Sequence, residues 1–134
     1  MKKLIAIILI CAGLGVQANA QSATTLTFSN GLALDTVDNT ETHYASATVQ
    51  SPAAGVALVV KVLKISGTVG GVISWQGSND GTVYATIETD TASDASANYS
   101  YAVSGGAPYK YYRVSWTGTG TMSASISGTL FKRR

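Results

Sequence analysis

Two alternating runs on either side of a turn constrain the fold of this chain most strongly. Residues 72–76 (VISWQ) and 83–87 (VYATI) alternate apolar and polar side chains, which is the period of a β-strand. The NDG sequence at 79–81 between them supplies turn chemistry, because Gly readily adopts left-handed backbone conformations. The stretch 66–84 therefore predicts a tight hairpin that fixes the register of the central strands and anchors Trp75 in the core.

Short alternating runs continue along most of the chain, and no helical period follows residue 20. Gly-rich turns separate the runs, whereas residues 32–42 are polar and aperiodic and are predicted to form a loop. About eight short strands with this spacing predict an all-β fold, an antiparallel β-sandwich of jelly-roll type. The predicted strands are 23–29, 44–49, 56–65, 72–77, 82–89, 99–103, 109–117 and 121–131.

The most hydrophobic of these runs, residues 56–65, has an ambiguous register. Its clearest apolar face consists of Leu58, Val60 and Val62. A strict period would add Lys64 to that face, although Leu63 and Ile65 have the character of core residues. A β-bulge near Leu63 or Lys64 would shift the register by one residue, or both faces are partly buried.

Residues 1–20 have the layout of a bacterial secretory signal peptide. A short basic start precedes an apolar run at 4–16, and the small-x-small sequence at 18–20 precedes Gln21. We therefore expect a cleaved leader and one β-sandwich domain at 21–134 that is secreted, periplasmic or on the cell surface. The alternative is that the segment is retained as a membrane anchor or a buried assembly arm. After cleavage no stable membrane span is expected.

The charge pattern argues against nucleic-acid binding. Of the nine Lys and Arg residues, two are Lys2 and Lys3, so seven face the seven Asp and Glu in the rest of the chain. The only basic cluster is the terminal KRR at 132–134, and it is not the basic face or stripe that nucleic-acid binding usually needs.

No reaction is indicated by the sequence, and we predict that the protein is not an enzyme and needs no cofactor. His43 is the only histidine, Cys11 lies in the leader, and no G-x-S-x-G nucleophile elbow occurs. A general acid or base would need a partner and a pocket that the sequence does not place.

Two sets of residues are candidate binding sites. Asp35, Asp38 and Glu41 could offer oxygen ligands to Ca²⁺, although their spacing is not that of an EF-hand and also suits a solvated loop. Tyr111 and Arg113 share the strand face opposite the core, so they are the candidates for contact with a ligand such as a surface glycan. The structural alternative for most aromatic residues, including both tryptophans, is core packing.

Four motifs carry a resemblance to a known group of proteins: KISGTVGG at 64–71, QGSNDGT at 76–82, YYRV at 111–114 and TGTGT at 117–121. Over roughly 56–130 the chain resembles small β-sandwich domains of tailed-phage structural and decoration proteins, and uncharacterised proteins of phages that infect Bacteroidetes. The resemblance implies a structural role in a virion and supplies no catalytic residue. The signal-like N-terminus departs from that pattern.

The expected function is that of a non-enzymatic structural or surface-binding module, for example a virion decoration, fibre or capsid-associated protein. The alternative is a secreted bacterial carbohydrate-binding module. The partners would be other proteins or copies of the chain joined through sheet edges, or surface glycans.

Overall fold

The alternating runs form β-strands in the computed structural model of the protein, which describes residues 21–49 and 53–133. These ranges contain strands and loops and no helix, so the all-β prediction is confirmed. The proposed signal peptide lies outside the described residues. The strands are β1 Gln21–Thr25, β2 Thr27–Phe28, β3 Leu34–Asp38, β4 Thr42–Thr48, β5 Gly55–Ser66, β6 Gly71–Ser78, β7 Ala85–Thr91, β8 Ala97–Ser104, β9 Tyr111–Gly118 and β10 Ser123–Arg133.

The strands form two antiparallel sheets of five strands each. In sheet I the order is β1-β10-β5-β8, with β3 also paired to β10, and in sheet II it is β2-β4-β9-β6-β7. Four nested pairs underlie this order: β6 with β7, β5 with β8, β4 with β9, and β1 with β10. Eight strands paired from the middle outward form one long rolled-up hairpin, which is the jelly-roll arrangement that the sequence predicts.

Aromatic side chains join the two sheets across the core. Trp75 of sheet II is fully buried and lies 6.0 Å from the ring of Tyr101 in sheet I and 5.7 Å from the ring of Tyr112 beside it. Trp116 is also fully buried, and its indole N–H donates to the Gly70 carbonyl at 3.3 Å. The prediction that both tryptophans belong to the core is therefore confirmed.

The prediction of a loop at 32–42 is wrong, because this segment contains β3. Its residues pair with the first half of β10, from Leu34 opposite Ser127 to Asp38 opposite Ser123. Val37 is the only fully buried side chain of β3. Because β3 buries one apolar side chain and is otherwise largely polar, its sequence has no alternating pattern from which a strand could be predicted.

The predicted bulge in β5 exists and lies at Ile65. Ser66 pairs with Ser123 and Lys64 pairs with Ala124, so Ile65 has no partner in β10. The expectation that Leu63 and Ile65 are core residues is wrong, since they are 39% and 60% exposed. The last buried residue of β5 is Val62.

The central hairpin is wider than the predicted tight turn. β6 ends at Ser78 and β7 begins at Ala85, so the connection has six residues, whereas the predicted strands 72–77 and 82–89 leave four. A second irregularity lies in β7, where Gln76 pairs with Thr86 and Trp75 pairs with Glu88.

Among the described residues no helix is long and apolar enough to span a membrane.

Candidate functional site

The outer face of sheet II carries the most distinctive group of polar and aromatic side chains. In β9, Tyr112, Val114 and Trp116 are fully buried, so Tyr111 and Arg113 lie on the outer face, as the alternation predicts. We call Tyr44, Gln76, Tyr84 and Arg113 the Arg113 cluster.

Neighbouring strands bring Tyr44 to Arg113. Ser46 of β4 lies opposite Arg113, and Tyr44 is two residues before Ser46 on the same outer face. The guanidinium carbon of Arg113 lies 4.6 Å from the centre of the Tyr44 ring. Tyr44 is 45% exposed, so this ring is attached to a rigid strand while much of it is open to solvent.

Tyr84 reaches the other side of Arg113 from the β6–β7 connection. The guanidinium carbon lies 3.7 Å from the centre of the Tyr84 ring, within the range of a cation–π contact. Arg113 is therefore in contact with two tyrosine rings from different parts of the sheet. A guanidinium stacked in this way loses much of its rotational freedom.

Asp80 organises the connection that carries Tyr84. Its Oδ1 accepts hydrogen bonds from the Ser78 hydroxyl at 2.8 Å, from Thr82 N at 2.8 Å and from Val83 N at 2.9 Å. The backbone bonds from Thr82 and Val83, followed by the Ser78 bond, lower the pKa of Asp80. Gly81 completes the turn with φ 77°, where a side chain would be strained. These contacts give the NDG sequence the structural role in a turn that its residues predict.

Gln76 fixes the orientation of the Arg113 side chain. The two residues lie opposite each other in β6 and β9, and Arg113 Nε donates to Gln76 Oε1 at 2.6 Å. Gln76 Nε2 in turn donates to Thr86 Oγ1 at 3.5 Å. The contact at Nε leaves the two terminal nitrogens of the guanidinium without a hydrogen-bond partner among the described residues.

Tyr111 and Arg113, the two residues predicted from the sequence to contact a ligand, have different surroundings. Arg113 is at the centre of the cluster, whereas Tyr111 is half-buried and borders the turn at Gly81. Lys110 Nζ lies 5.1 Å from the centre of the Tyr111 ring. Sequence reasoning missed Tyr44 and Tyr84. The alternation of β4 could have placed Tyr44 on the outer face, but no local pattern indicates that Tyr84 folds back over Arg113.

The acidic residues proposed for Ca²⁺ lie at the edge where the two sheets meet. Asp35 Oδ2 is 2.7 Å from His43 Nδ1, and Glu41 Oε2 is 3.3 Å from His43 Nε2. Asp38 contributes its backbone N–H to Glu41 Oε2 at 3.3 Å. Within the described ranges, no three His, Cys, Asp or Glu side chains are grouped so that they could hold a metal ion. Asp35 and Glu41, two of the three candidate Ca²⁺ ligands, thus contact His43, which was not one of the candidates.

The carboxylates of Asp35 and Glu41 affect the pKa of His43. Burial by itself would lower the pKa of His43, but the hydrogen bonds and charges of Asp35 and Glu41 outweigh it and raise the pKa above 6.5. The contact joins β3 of sheet I to β4 of sheet II, so it is a polar bridge between the sheets.

Shallow cavities occur on the described surface. One of about 280 Å³ adjoins the Arg113 cluster through Tyr84 and is also lined by Gly77, Ser78 and Tyr109. Another, of about 240 Å³, lies on sheet I and is mostly apolar. The first of them extends the exposed surface beside the cluster.

No family model and no curated protein matches the sequence. Several solved structures share its fold. The PBSX exported protein XepA superposes with a TM-score of 0.57 at 12% identity, over 84% of this chain and 36% of that one. The chain thus spans about a third of the length of XepA.

Two carbohydrate-binding modules have the same fold along most of their length. The CBM32 of AlyQ, solved in complex with 4,5-unsaturated mannuronic acid, has a TM-score of 0.51 at 15% identity and covers 81% of this chain and 92% of that one. A CBM4 module has a TM-score of 0.50 at 8% identity, with 90% and 93% coverage. At these low identities the similarity establishes only that the chain has a β-sandwich fold. The superposition with XepA is a distant structural resemblance to a phage exported protein.

Proposed function

We propose that the protein is a non-enzymatic surface-binding module and that it binds a glycan through the Arg113 cluster. The observation that carries this proposal is the placement of Arg113 between the rings of Tyr44 and Tyr84 on the outer face of sheet II. Exposed aromatic rings provide contact area at a low cost in conformational entropy, and neighbouring polar groups give orientation.

The chemistry of this face suits a sugar. The C–H face of a pyranose packs against an aromatic ring, while its hydroxyl groups need donors and acceptors at the edge of that ring. Tyr44 supplies a half-exposed ring, Arg113 supplies donors, and the exposed Ser46 adds a hydroxyl group on the same face. Since the rings lie on paired strands or on a hydrogen-bonded turn, little ordering is needed when a ligand binds.

The fold offers a precedent for such a site, since two of the superposed structures are carbohydrate-binding modules. A module of this kind would act outside the cell, which agrees with the signal-like leader at 1–20. We propose accordingly that the protein is secreted, periplasmic or on the cell surface, with a virion as the alternative. N-terminal sequencing of the exported protein should give Gln21 as its first residue, and an intact Met1 would contradict the leader.

Glycan-array binding followed by calorimetry tests the proposed site. Tyr44→Ala should weaken binding to any glycan that the protein retains by about tenfold or more, because aromatic residues at a binding site commonly contribute over 1 kcal/mol. Phe131→Ala is the matched control, since it removes a half-buried aromatic ring from sheet I. The proposal fails if no glycan binds, or if both variants bind as the parent protein does.

A structural role in an assembly is the second candidate, and one feature of sheet I favours it. β8 is the last strand of that sheet, and within the described residues only β5 pairs with it. Its sequence, ANYSYAVS, contains no charged residue and no Pro. Native edge strands usually carry such residues to prevent pairing between molecules.

Strand addition at β8 would give a way to join copies of this chain in a fibre or on a virion. Ser100→Lys should abolish self-association in sedimentation equilibrium, because a lysine on an edge strand opposes pairing. Thr129→Lys on β10, which is paired on both edges, is the control. A parent protein that remains monomeric at high concentration would contradict this role.

A further inference from the structure

Arg113 is a fixed cation that no described carboxylate neutralises. Within the part of the chain that the structure describes, Arg113 forms no ion pair. From this unmatched charge we infer that the glycan bound at the Arg113 cluster is acidic and that the guanidinium binds the carboxylate of a uronic acid. The inference rests on the proposed glycan-binding function and specifies its ligand.

The strands of sheet II leave the outer face without an acidic residue. Their only carboxylates are Glu88 and Asp90 of β7, which lie opposite Trp75 and Ile73 in β6. Both partners are fully buried, so alternation directs the two carboxylates to the inner side of the sheet. Both side chains stay exposed because β7 is the edge strand, and both raise the pKa of Tyr101 in the other sheet, after the larger effect of burial.

The turn that carries Tyr84 does not supply the missing anion. Asp80 lies in this turn, and one of its oxygens accepts three hydrogen bonds from Ser78, Thr82 and Val83. The carboxylate forms no ion pair with Arg113. Instead, a second positive charge, Lys110 Nζ, lies over the ring of Tyr111, the residue two positions before Arg113 on the outer face of β9.

The geometry of Arg113 favours a carboxylate over a single hydroxyl group. The bond from Nε to Gln76 at 2.6 Å and the stacking on Tyr84 at 3.7 Å fix the plane of the guanidinium. The two terminal nitrogens remain available to donate in that plane. Two parallel N–H···O bonds from an arginine match the two oxygens of a carboxylate, which is why arginine recognises this group specifically.

A pair of polymers that differ only in the acidic group provides the direct test. Polygalacturonate and alginate would each be compared with the same polymer after its carboxyl groups have been reduced to alcohols. Affinity for at least one acidic polymer should exceed that for its reduced form by about tenfold or more, because hydrogen bonds to charged groups are among the stronger ones. The difference should shrink as salt concentration rises.

Variants separate recognition of charge from support of the turn. Arg113→Gln should remove the preference for the acidic polymer, and Arg113→Lys should restore only part of it because a lysine lacks the planar pair of donors. Lys61→Gln is the control, since it removes an exposed positive charge from the outer face of sheet I. Loss of affinity for acidic and reduced polymers alike in Arg113→Gln would indicate a structural role and would overturn the inference.

The outcomes distinguish this inference from the proposed function. If the parent protein binds the reduced or other neutral glycans as tightly as the acidic ones, glycan binding stands and the inference fails. If only a sulfated polymer binds, the carboxylate assignment is wrong. If neither acidic nor neutral glycans bind, the proposed function fails, and the inference fails with it.

Discussion

The guanidinium carbon of Arg113 lies 3.7 Å from the centre of the Tyr84 ring, closer than its distance of 4.6 Å from the Tyr44 ring. Arg113 is held by a strand and Tyr84 by a six-residue connection. The contact therefore fixes the turn against the sheet at the place where the site is exposed. Its contribution to stability can be measured separately from binding.

We expect a double-mutant cycle of Arg113→Gln and Tyr84→Ala to give a coupling free energy of about 0.5–2 kcal/mol in urea unfolding. The Lys110–Tyr111 pair is the comparison, because its distance of 5.1 Å and its exposed lysine should give a smaller coupling. Additive effects of the two Arg113 cluster substitutions would show that the stack does not stabilise the protein in solution.

Gly77 leaves space for the ring of Tyr109. A Cβ atom at Gly77 would lie 2.1 Å from Tyr109 Cδ2, and Tyr109 in turn packs edge-on against Tyr112 at 6.1 Å. Gly77→Ala should therefore lower the free energy of unfolding by about 1–3 kcal/mol, because the ring must move in a packed region.

The Tyr109→Ala background provides the control for this prediction. Without the ring, adding the Gly77 methyl group should cost less than about 0.5 kcal/mol, as does a substitution that meets no neighbour. An equal cost in both backgrounds would mean that the backbone of β6, rather than the Tyr109 ring, demands glycine.

The bulge at Ile65 predicts opposite results for two neighbouring apolar residues of β5. Ile65 is 60% exposed and unpaired, so Ile65→Ala should change stability by no more than about 0.5 kcal/mol. Val62 is 1% exposed, and Val62→Ala should cost roughly 2 kcal/mol. Denaturant unfolding of both variants checks the register, and a larger loss at Ile65 would show that the bulge is misplaced.

The same strand shows how far the sequence predicts the fold. Alternation identifies the apolar face that ends at Val62, because burying one face of a strand imposes a period of two. Alternation also assigns Lys64 to that face. A lysine is accommodated there because it lies at the rim of the sandwich, where its Nζ donates to Asp94 Oδ1 at 2.6 Å. The hydrophobicity of Leu63 and Ile65 was misleading because the pattern does not indicate where the opposite sheet ends.

The candidate site is less predictable than the core. The sequence is sufficient to place Arg113 and Tyr44 on outer faces, because each lies in a strand whose side chains alternate regularly between the two faces. Their contact requires the pairing of β4 with β9, and the position of Tyr84 depends on the hydrogen bonds of Asp80. Such long-range pairings and turn geometries leave no periodic signal in a single sequence.

The bridge between His43 and Asp35 predicts a pH dependence of stability. The pKa of His43 is raised, since the hydrogen bonds and charges of Asp35 and Glu41 outweigh the opposing effect of burial. Because the folded state binds the proton more tightly than the unfolded one, the stabilisation is complete below a pH of about 6.5 and disappears as the pH rises through the folded pKa. A partly exposed pair of this kind contributes roughly 0.2–1 kcal/mol.

NMR titration can follow this group directly, because His43 is the only histidine in the chain. The pKa of His43 should lie above 6.5 in the parent protein and should be lower in the Asp35→Asn variant. The same variant should lose less stability than the parent protein between pH 6 and pH 9. Asp94→Asn, which removes the carboxylate paired with Lys64, should leave the titration of His43 unchanged. A parent pKa at or below 6.5 would mean that burial dominates and that the carboxylates do not hold the imidazolium between the two sheets.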